Sequence, residues 1–245
     1  MDMDCDPPLL PTAAPDAAID HAHSITYWSS VSADTNGMLG GYPQTSRIDL
    51  QSSSNFLTKL RRRRQPKDAL ARLNRVADCG AGIGRITKGL LMSVSAKVDV
   101  VEPVKKFTDD LVAGLNEEEK ETMGEVVNVG LQDWVPEVGG YDLIWNQWCL
   151  GHLKDDQLVV YLKRCKEGLA KGDGASQGWV VVKENLSTDV KKQDIYDEED
   201  SSVTRSDEKF RRLFVEAGLK IVATELQKGF PRELYPVRIY ALTLT

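Results

Sequence analysis

Apolar positions along this chain follow two habits. Short near-continuous runs, such as Val98-Asp99-Val100-Val101 and Leu143-Ile144-Trp145, alternate with longer stretches in which apolar residues recur every three or four positions. The near-continuous runs predict strands buried on both faces, and the wider spacing predicts helices that cover them. Strands are expected near 75–79, 97–102, 124–129, 141–146 and 178–183. Between them the pattern predicts a helix with Ile86, Leu90, Leu91 and Val94 on one face, another over 104–116, and a third over 155–169 carrying Leu158, Val159, Leu162, Cys165 and Leu169. A last helix near 206–217 precedes strands at 219–226 and 236–244. The loop joining that final pair is too short for a helical crossover, so an antiparallel hairpin is expected at the sheet edge. Strand and helix in alternation give an α/β fold with a mostly parallel sheet and helices on both faces.

Upstream the pattern changes. Residues 1–20, rich in Asp, Pro and Ala, read as a disordered tail, and 21–245 as a single domain with an N-terminal helical cap over 21–70 and a core over 71–245. The patches Thr26-Tyr27-Trp28 and Asn36-Gly37-Met38-Leu39-Gly40-Gly41-Tyr42 fit either a cap over a ligand site or a connector whose aromatics pad the core. Ser52 to Leu60 reads as a helix with Phe56, Leu57 and Leu60 on its apolar stripe. Arg61–Arg64 reads as a solvated helix end, with nuclear import as the other reading.

Composition narrows the function classes. With 245 residues and 41% apolar content, one sizeable domain can bury a proper core. A net charge of −6 argues against a nucleic-acid partner and fits one that carries local positive charge. The four cysteines show no CxxC spacing, which points to reduced thiols in the cytoplasm or nucleus, and no metal site is expected. No apolar run reaches membrane-spanning length, and the acidic, proline-rich start does not read as a secretory signal.

The most informative stretch is Val76-Ala77-Asp78-Cys79-Gly80-Ala81-Gly82-Ile83-Gly84-Arg85. It reads as strand, tight turn, helix, with glycines where the backbone takes positive φ and a ligand comes close. The Gly-x-Gly-x-Gly spacing differs from the Gly-x-Gly-x-x-Gly of dinucleotide dehydrogenases and suits S-adenosylmethionine (SAM), which has no pyrophosphate to seat. Ligands of open α/β sheets lie beyond the carboxyl ends of the strands. After the first strand that places Gly80, Gly82 and Arg85, the last either a partner for the cofactor's carboxylate or an exposed helix residue. Glu102 ends the second strand, eighteen residues after Gly84, where its carboxylate can accept from both ribose hydroxyls. Pro103 and Val104 follow it. Beyond the third strand, Leu131 can pack on adenine and Gln132 meet its edge. Gln147, beyond the fourth, would sit under the amino-acid end of the cofactor. A parallel sheet ending in an antiparallel hairpin is the Rossmann-like, seven-stranded architecture usual for SAM-dependent methyltransferases.

The run Gln147-Trp148-Cys149-Leu150-Gly151-His152-Leu153 puts an indole and an imidazole four residues apart, on one face if a helix begins there. Beside a methyl donor the pair suggests an amine acceptor. The other reading is a core tryptophan and a satisfied helix histidine.

Nearly everything after the tail resembles the alpha-N-terminal protein methyltransferases, which act on termini of the form Xaa-Pro-Lys or Xaa-Pro-Arg. The glycine motif is shared with many methyltransferases. Gly37-Met38-Leu39-Gly40-Gly41-Tyr42, Gln147-Trp148 through Gly151-His152-Leu153, and Asp200-Ser201-Ser202-Val203 are the family's own, and all three occur in order. Thr26-Tyr27-Trp28, Gly130-Leu131-Gln132-Asp133, Lys183-Glu184-Asn185 and Leu234-Tyr235 match as well.

The resemblance implies SAM-dependent transfer of one to three methyls to a protein α-amine. It implies cofactor contacts at Gly80, Gly82, Arg85, Glu102, Pro103, Val104, Leu131, Gln132, Gln147 and Trp28. Trp148 becomes the wall for the substrate's second-position proline, Asn185 the amide that holds the first peptide carbonyl, and Leu39 part of the lid. Asp197 and Asp200 match the acids that receive the cationic terminus and the third-residue Lys or Arg, assisted by Ser202, Leu234 and Tyr235. His152 and Asp200 are implied as the pair accepting the amine proton. Ribosomal and chromatin-associated proteins are the implied partners, in the cytoplasm and possibly the nucleus. Two other readings share the cofactor pocket: a small-molecule amine or phenol methyltransferase, and a SAM-binding adaptor without catalysis. Two departures stand out. Gly172–Gln177 lengthens a loop expected far from the site, and the acid-rich run 189–200 leaves open which acid meets the third substrate residue.

Overall fold

The computed structural model describes residues 14–64, 71–172 and 178–245. Its centre is a sheet of β1 (Leu73–Cys79), β2 (Ser95–Val101), β3 (Met123–Val127), β4 (Leu143–Gln147), β5 (Trp179–Asn185), β8 (Leu219–Leu226) and β9 (Val237–Leu244), in the order β3-β2-β1-β4-β5-β9-β8. The first five run parallel. β9 is antiparallel to both β5 and β8, as the short final loop requires.

Register is what positions the site. Cys79 stands level with Val101 on one side and Asn146 on the other, and Asn146 with Val182. The residues following β1, β2, β4 and β5 therefore emerge together at one sheet edge. β1 feeds β2 on one side while β4 lies on the other, so the order reverses between β1 and β4 and a crevice opens there.

Strand side chains divide by parity between two cores. Val76, Val98, Val100, Trp145 and Val181 pack under α3 (Ser46–Arg64), α4 (Thr87–Leu91, continuing into Met92–Val94) and α5 (Lys105–Ala113). Ala77, Cys79, Val101, Ile144 and Val182 pack under α7 (Asp155–Gly168) and α8 (Asp207–Glu216). Phe56, Leu57 and Leu60 of α3 are all buried as their spacing predicts. Each such side chain contributes roughly 1.5–3 kcal/mol by leaving water.

Several expectations need correction. Residues 1–13 lie outside the described residues, and most of the expected tail with them. Pro15–Ala18 instead forms a helical turn, Ile19 is buried, and the Asp16 carboxylate accepts from Asp155 N–H at 2.9 Å. The helix expected over 52–60 runs from Ser46 to Arg64. Of the arginine run, Arg62 and Arg63 are exposed as expected, but Arg61 is buried and donates to the Ala71 carbonyl. Two elements had no sequence signal, α6 (Glu117–Thr122) and the hairpin β6 (Ile195–Asp197) with β7 (Ser202–Thr204). Residues 173–177 of the lengthened loop are outside the described set, and the loop meets β5 at the end away from the crevice.

Candidate active site

A cavity of about 620 Å³ opens at the crevice, roofed by α1 (His21–Ser30) and by the end of α2 (Thr35–Met38) with the residues after it. In the loop that supplies its floor the glycines are sterically obligatory. Gly80 has φ 66° and Gly84 φ 75°. A Cβ on Gly80 would stand 2.3 Å from Cys149 Cβ, and one on Gly84 2.4 Å from Leu111 Cδ1. The loop also gives up a backbone donor: Gly82 N–H bonds Glu102 Oε2 at 2.8 Å, and Val104 N–H bonds Oε1 at 2.8 Å. The Glu102 carboxylate is thereby fixed in the cavity wall, each oxygen keeping a lone pair for a ligand hydroxyl. Burial pushes its pKa up, with those two N–H bonds opposing. Pro103, Leu131 and Gln132 line the same half. The Gln132 amide donates to Asp133 at 3.0 Å.

Under the other end lies a charge cluster that the sequence did not announce. Asp49 of α3 is fully buried and accepts from Arg85 at 2.7 Å, from Gln147 Nε2 at 2.9 and 3.0 Å, and from Lys183. Burial pushes its carboxyl up, but Lys183 and Arg85 outweigh that and hold it below the usual range. Arg85 is thus not an exposed helix residue. One N–H is committed to Asp49, and the guanidinium lies 5.5 Å from the Trp148 ring centroid, in the cavity wall. Gln147 lines the cavity too, but its amide is engaged within the protein, the carbonyl accepting from Trp145 Nε1 at 3.2 Å.

Trp148 and His152 both face the cavity, though not as one helical face. Trp148 takes φ 54°, and its N–H bonds the Lys183 carbonyl at 3.0 Å. Glu184 Oε1 then accepts from Cys149 N–H at 2.9 Å and Leu150 N–H at 2.8 Å, which turns the chain so that His152 comes up beside the indole. Burial pushes Glu184 up to about 7. Phe230 extends the Trp148 wall, with ring centroids 6.5 Å apart.

The imidazole of His152 meets Ser24 Oγ at 2.9 Å through Nδ1, and Trp28 Nε1–H donates to Nε2 at 3.2 Å. Trp28, expected on the cofactor, therefore also holds this ring. Asp200 Oδ2 stands 3.9 Å from Nε2, and Asp200 Oδ1 is buried with no hydrogen-bond partner. Burial lowers the His152 pKa, and Asp200 opposes it.

Leu39, Asn185, Ser202, Leu234 and Tyr235 also line the cavity. Asp197 does not. It is exposed on β6, caps its own turn by accepting from Glu199 N–H at 2.9 Å, and is absent from the lining. Of the acid-rich run, only Asp200 reaches the cavity; Asp194, for one, pairs with Lys209 at 3.0 Å. Sequence reasoning missed Asp49, Ser24, Glu184 and Phe230. Asp49 alone carried a usable signal, because 49, 53, 56, 57 and 60 share one helical stripe whose first two members are polar.

A family model described as AdoMet-dependent proline di-methyltransferase matches residues 16–243. The chain belongs to that family. It is a SAM-dependent methyltransferase, and the fixed Glu102 carboxylate and Cβ-free glycine floor fit that cofactor. Among its relatives, the alpha N-terminal protein methyltransferase 1 of Schizosaccharomyces pombe is 42% identical over 227 residues, 91% of this chain and 95% of the relative. The N-terminal Xaa-Pro-Lys N-methyltransferase 1-B of Xenopus laevis is 42% identical, over 88% of this chain and 92% of its own. A SAM-dependent methyltransferase from Leishmania major superposes with a TM-score of 0.80 at 33% identity, covering 91% of this chain and 82% of that one. Among the described residues no group of side chains could hold a metal ion, and no helix is long and apolar enough to cross a membrane.

Proposed function

We propose that this enzyme methylates the α-amino group of proteins that begin Xaa-Pro-Lys or Xaa-Pro-Arg. One observation carries the reading. In a single cavity a buried, unpartnered carboxylate oxygen of Asp200 and the imidazole of His152 stand near the Trp148 indole wall. A carboxylate oxygen without a donor is costly unless a ligand supplies one. A terminal ammonium does, and a proline ring beside it packs on indole with little ordering cost because its φ is already fixed. The names of the relatives point the same way.

The chain's part in the reaction follows. Glu102, Arg85 and the glycine floor hold SAM, which when bound supplies an electrophilic methyl on its sulfonium. Only a neutral amine has the lone pair needed to attack. A free α-amine has a pKa of about 7.7–8.0, so a modest base suffices near neutral pH. Asp200 accepts hydrogen bonds from the ammonium and orients it. His152, kept neutral by burial, takes the proton, and Asp200 steadies the imidazolium that results. Trp148 and Asn185 fix the peptide so that nitrogen and methyl align. Before each further transfer the amine must lose another proton, and the same pair serves again once the imidazolium has released its proton to solvent. The third-residue Lys or Arg leaves toward the acidic face of β6–β7. Ribosomal and chromatin-associated proteins with such termini would be the partners, met in the cytoplasm or nucleus.

The test is mass spectrometry of an Xaa-Pro-Lys hexapeptide after incubation with enzyme and SAM. Methyl gain confined to the terminal nitrogen is expected, and none on the N-acetylated peptide. Equal turnover of the acetylated peptide overturns the reading.

A further inference from the structure

We infer that Ser24 is a positioning residue for His152: its Oγ accepts the Nδ1 proton of the imidazole and so leaves the Nε2 lone pair toward the substrate amine. The inference rests on the reading of His152 as the group that takes the amine proton.

The argument starts from Trp28. An indole N–H can only donate, and it lies 3.2 Å from Nε2. Nε2 therefore accepts. A neutral imidazole carries one proton, which must then sit on Nδ1, and Ser24 Oγ lies 2.9 Å from that atom. The opposite tautomer would set two N–H groups against each other at Nε2 and leave an acceptor at Nδ1. Ser24 is buried, so its bond is not traded with water. It stands one helical turn before Trp28, on the same side of α1, and the two side chains hold the ring by both nitrogens. The start of α1 is in turn tied to the Asp200 turn, because Asp20 N–H donates to Ser201 Oγ at 2.8 Å.

Two further charged or titratable groups face the ring. Asp200 comes from the β6–β7 turn, and His21 from α1, where its Nε2 meets Gln157 Oε1 at 3.0 Å. As the ammonium N–H bond breaks and the Nε2–H bond forms, the electron pair stays on the amine nitrogen and the charge moves to the imidazole. Before that transfer the ammonium takes the place of the Trp28 donor at Nε2, and Nδ1–H remains on Ser24 throughout. A hydrogen bond from a charged donor is about twice as strong as a neutral one. Ser24 thus favours the imidazolium, alongside Asp200 and the Ser201 backbone, against the burial that opposes it.

Long-range ¹H–¹⁵N NMR of the full chain with ¹⁵N-labelled histidine tests this, the His152 signals being those missing in His152→Gln. At neutral pH the wild type is expected to show a protonated Nδ1 and a bare Nε2. In Ser24→Ala that preference is expected to weaken. The kcat on an Xaa-Pro-Lys peptide should fall about 10-fold, with its acid limb moved to lower pH and SAM affinity within about threefold. A protonated or evenly mixed Nε2 in the wild type overturns the inference, as does Ser24→Ala with unchanged tautomer, kcat and acid limb. Should Ser24→Ala not fold, the wild-type signature decides alone. If the peptide is not methylated at all, the functional reading fails, and the NMR signature still judges the tautomer separately.

Discussion

Replacing Asp200 by Asn keeps the shape and removes the charge. In the structure Oδ2 stands 3.9 Å from His152 Nε2. Two full charges at that distance interact by about 4 kcal/mol when the effective dielectric constant is about 20. The side chain is 20% exposed, so water takes part of this. The amide also still accepts one hydrogen bond. A net loss of about 2–3 kcal/mol of transition-state stabilisation is expected, or about 30- to 150-fold in kcat/KM. The pH dependence should move as well. Asp200 favours the charged imidazole, so without it burial dominates and the His152 pKa falls. The acid limb of kcat then shifts to lower pH while the plateau drops. The assay is the initial rate on an Xaa-Pro-Lys hexapeptide by mass spectrometry, with SAM affinity by calorimetry as the control, since Asp200 lies away from the glycine floor. A variant within threefold of wild type at every pH would refute the reasoning.

Asp197→Asn should stay within about threefold in kcat on the same peptide, because its carboxylate lies outside the cavity, and should raise KM, because it stands on the acidic face that meets the third residue; a kcat loss as large as that of Asp200→Asn would place it at the reacting amine instead. Gly84→Ala puts a Cβ 2.4 Å from Leu111 Cδ1 at φ 75°, so thermal or urea unfolding should show at least about 2 kcal/mol of destabilisation. Glu184 is raised from 4.5 to about 7 by burial, so the native state keeps a proton there that the unfolded chain has lost. Its contribution is therefore most favourable at acid pH and is lost as pH climbs from about 4.5 through about 7, by about 3 kcal/mol in all. Glu184→Gln, which can keep both backbone hydrogen bonds, should gain stability at pH 8 relative to wild type but not at pH 5; equal effects at both would contradict this.

The sheet was legible because its central strands are buried on both faces and read as near-continuous apolar runs. Glu102 was legible because an acid ending the second strand has a meaning once a glycine turn ends the first. What stayed hidden has local physical causes. Asp49 and Ser53 extend the α3 stripe, but being polar they hide its first turns, so the helix reads as beginning at Ser52 and not at Ser46. The strands of β6–β7 are three residues long, too short for a period to show, so the hairpin went unread, and within its acid-rich run the sequence left open which acid meets the substrate. In that run only Asp200 turns inward. Arg61 hides its stem while its guanidinium finds a carbonyl, a habit of long cationic side chains that hydropathy cannot register. The four-residue spacing of Trp148 and His152 suggested a helix. The residues are brought together instead by a left-handed tryptophan and by Glu184, from a strand more than thirty positions away.

The contacts of α1 span much of the chain: Ser24 reaches a histidine 128 residues downstream, and Asp20 a serine 181 residues downstream. A ribosome releases this helix early and its docking partners late. Loop closure over such distances is slow, so the segment must wait, undocked, for most of synthesis. Docking of α1 is therefore expected only after β1–β5 have emerged, and competence for catalysis late in the life of a newborn molecule.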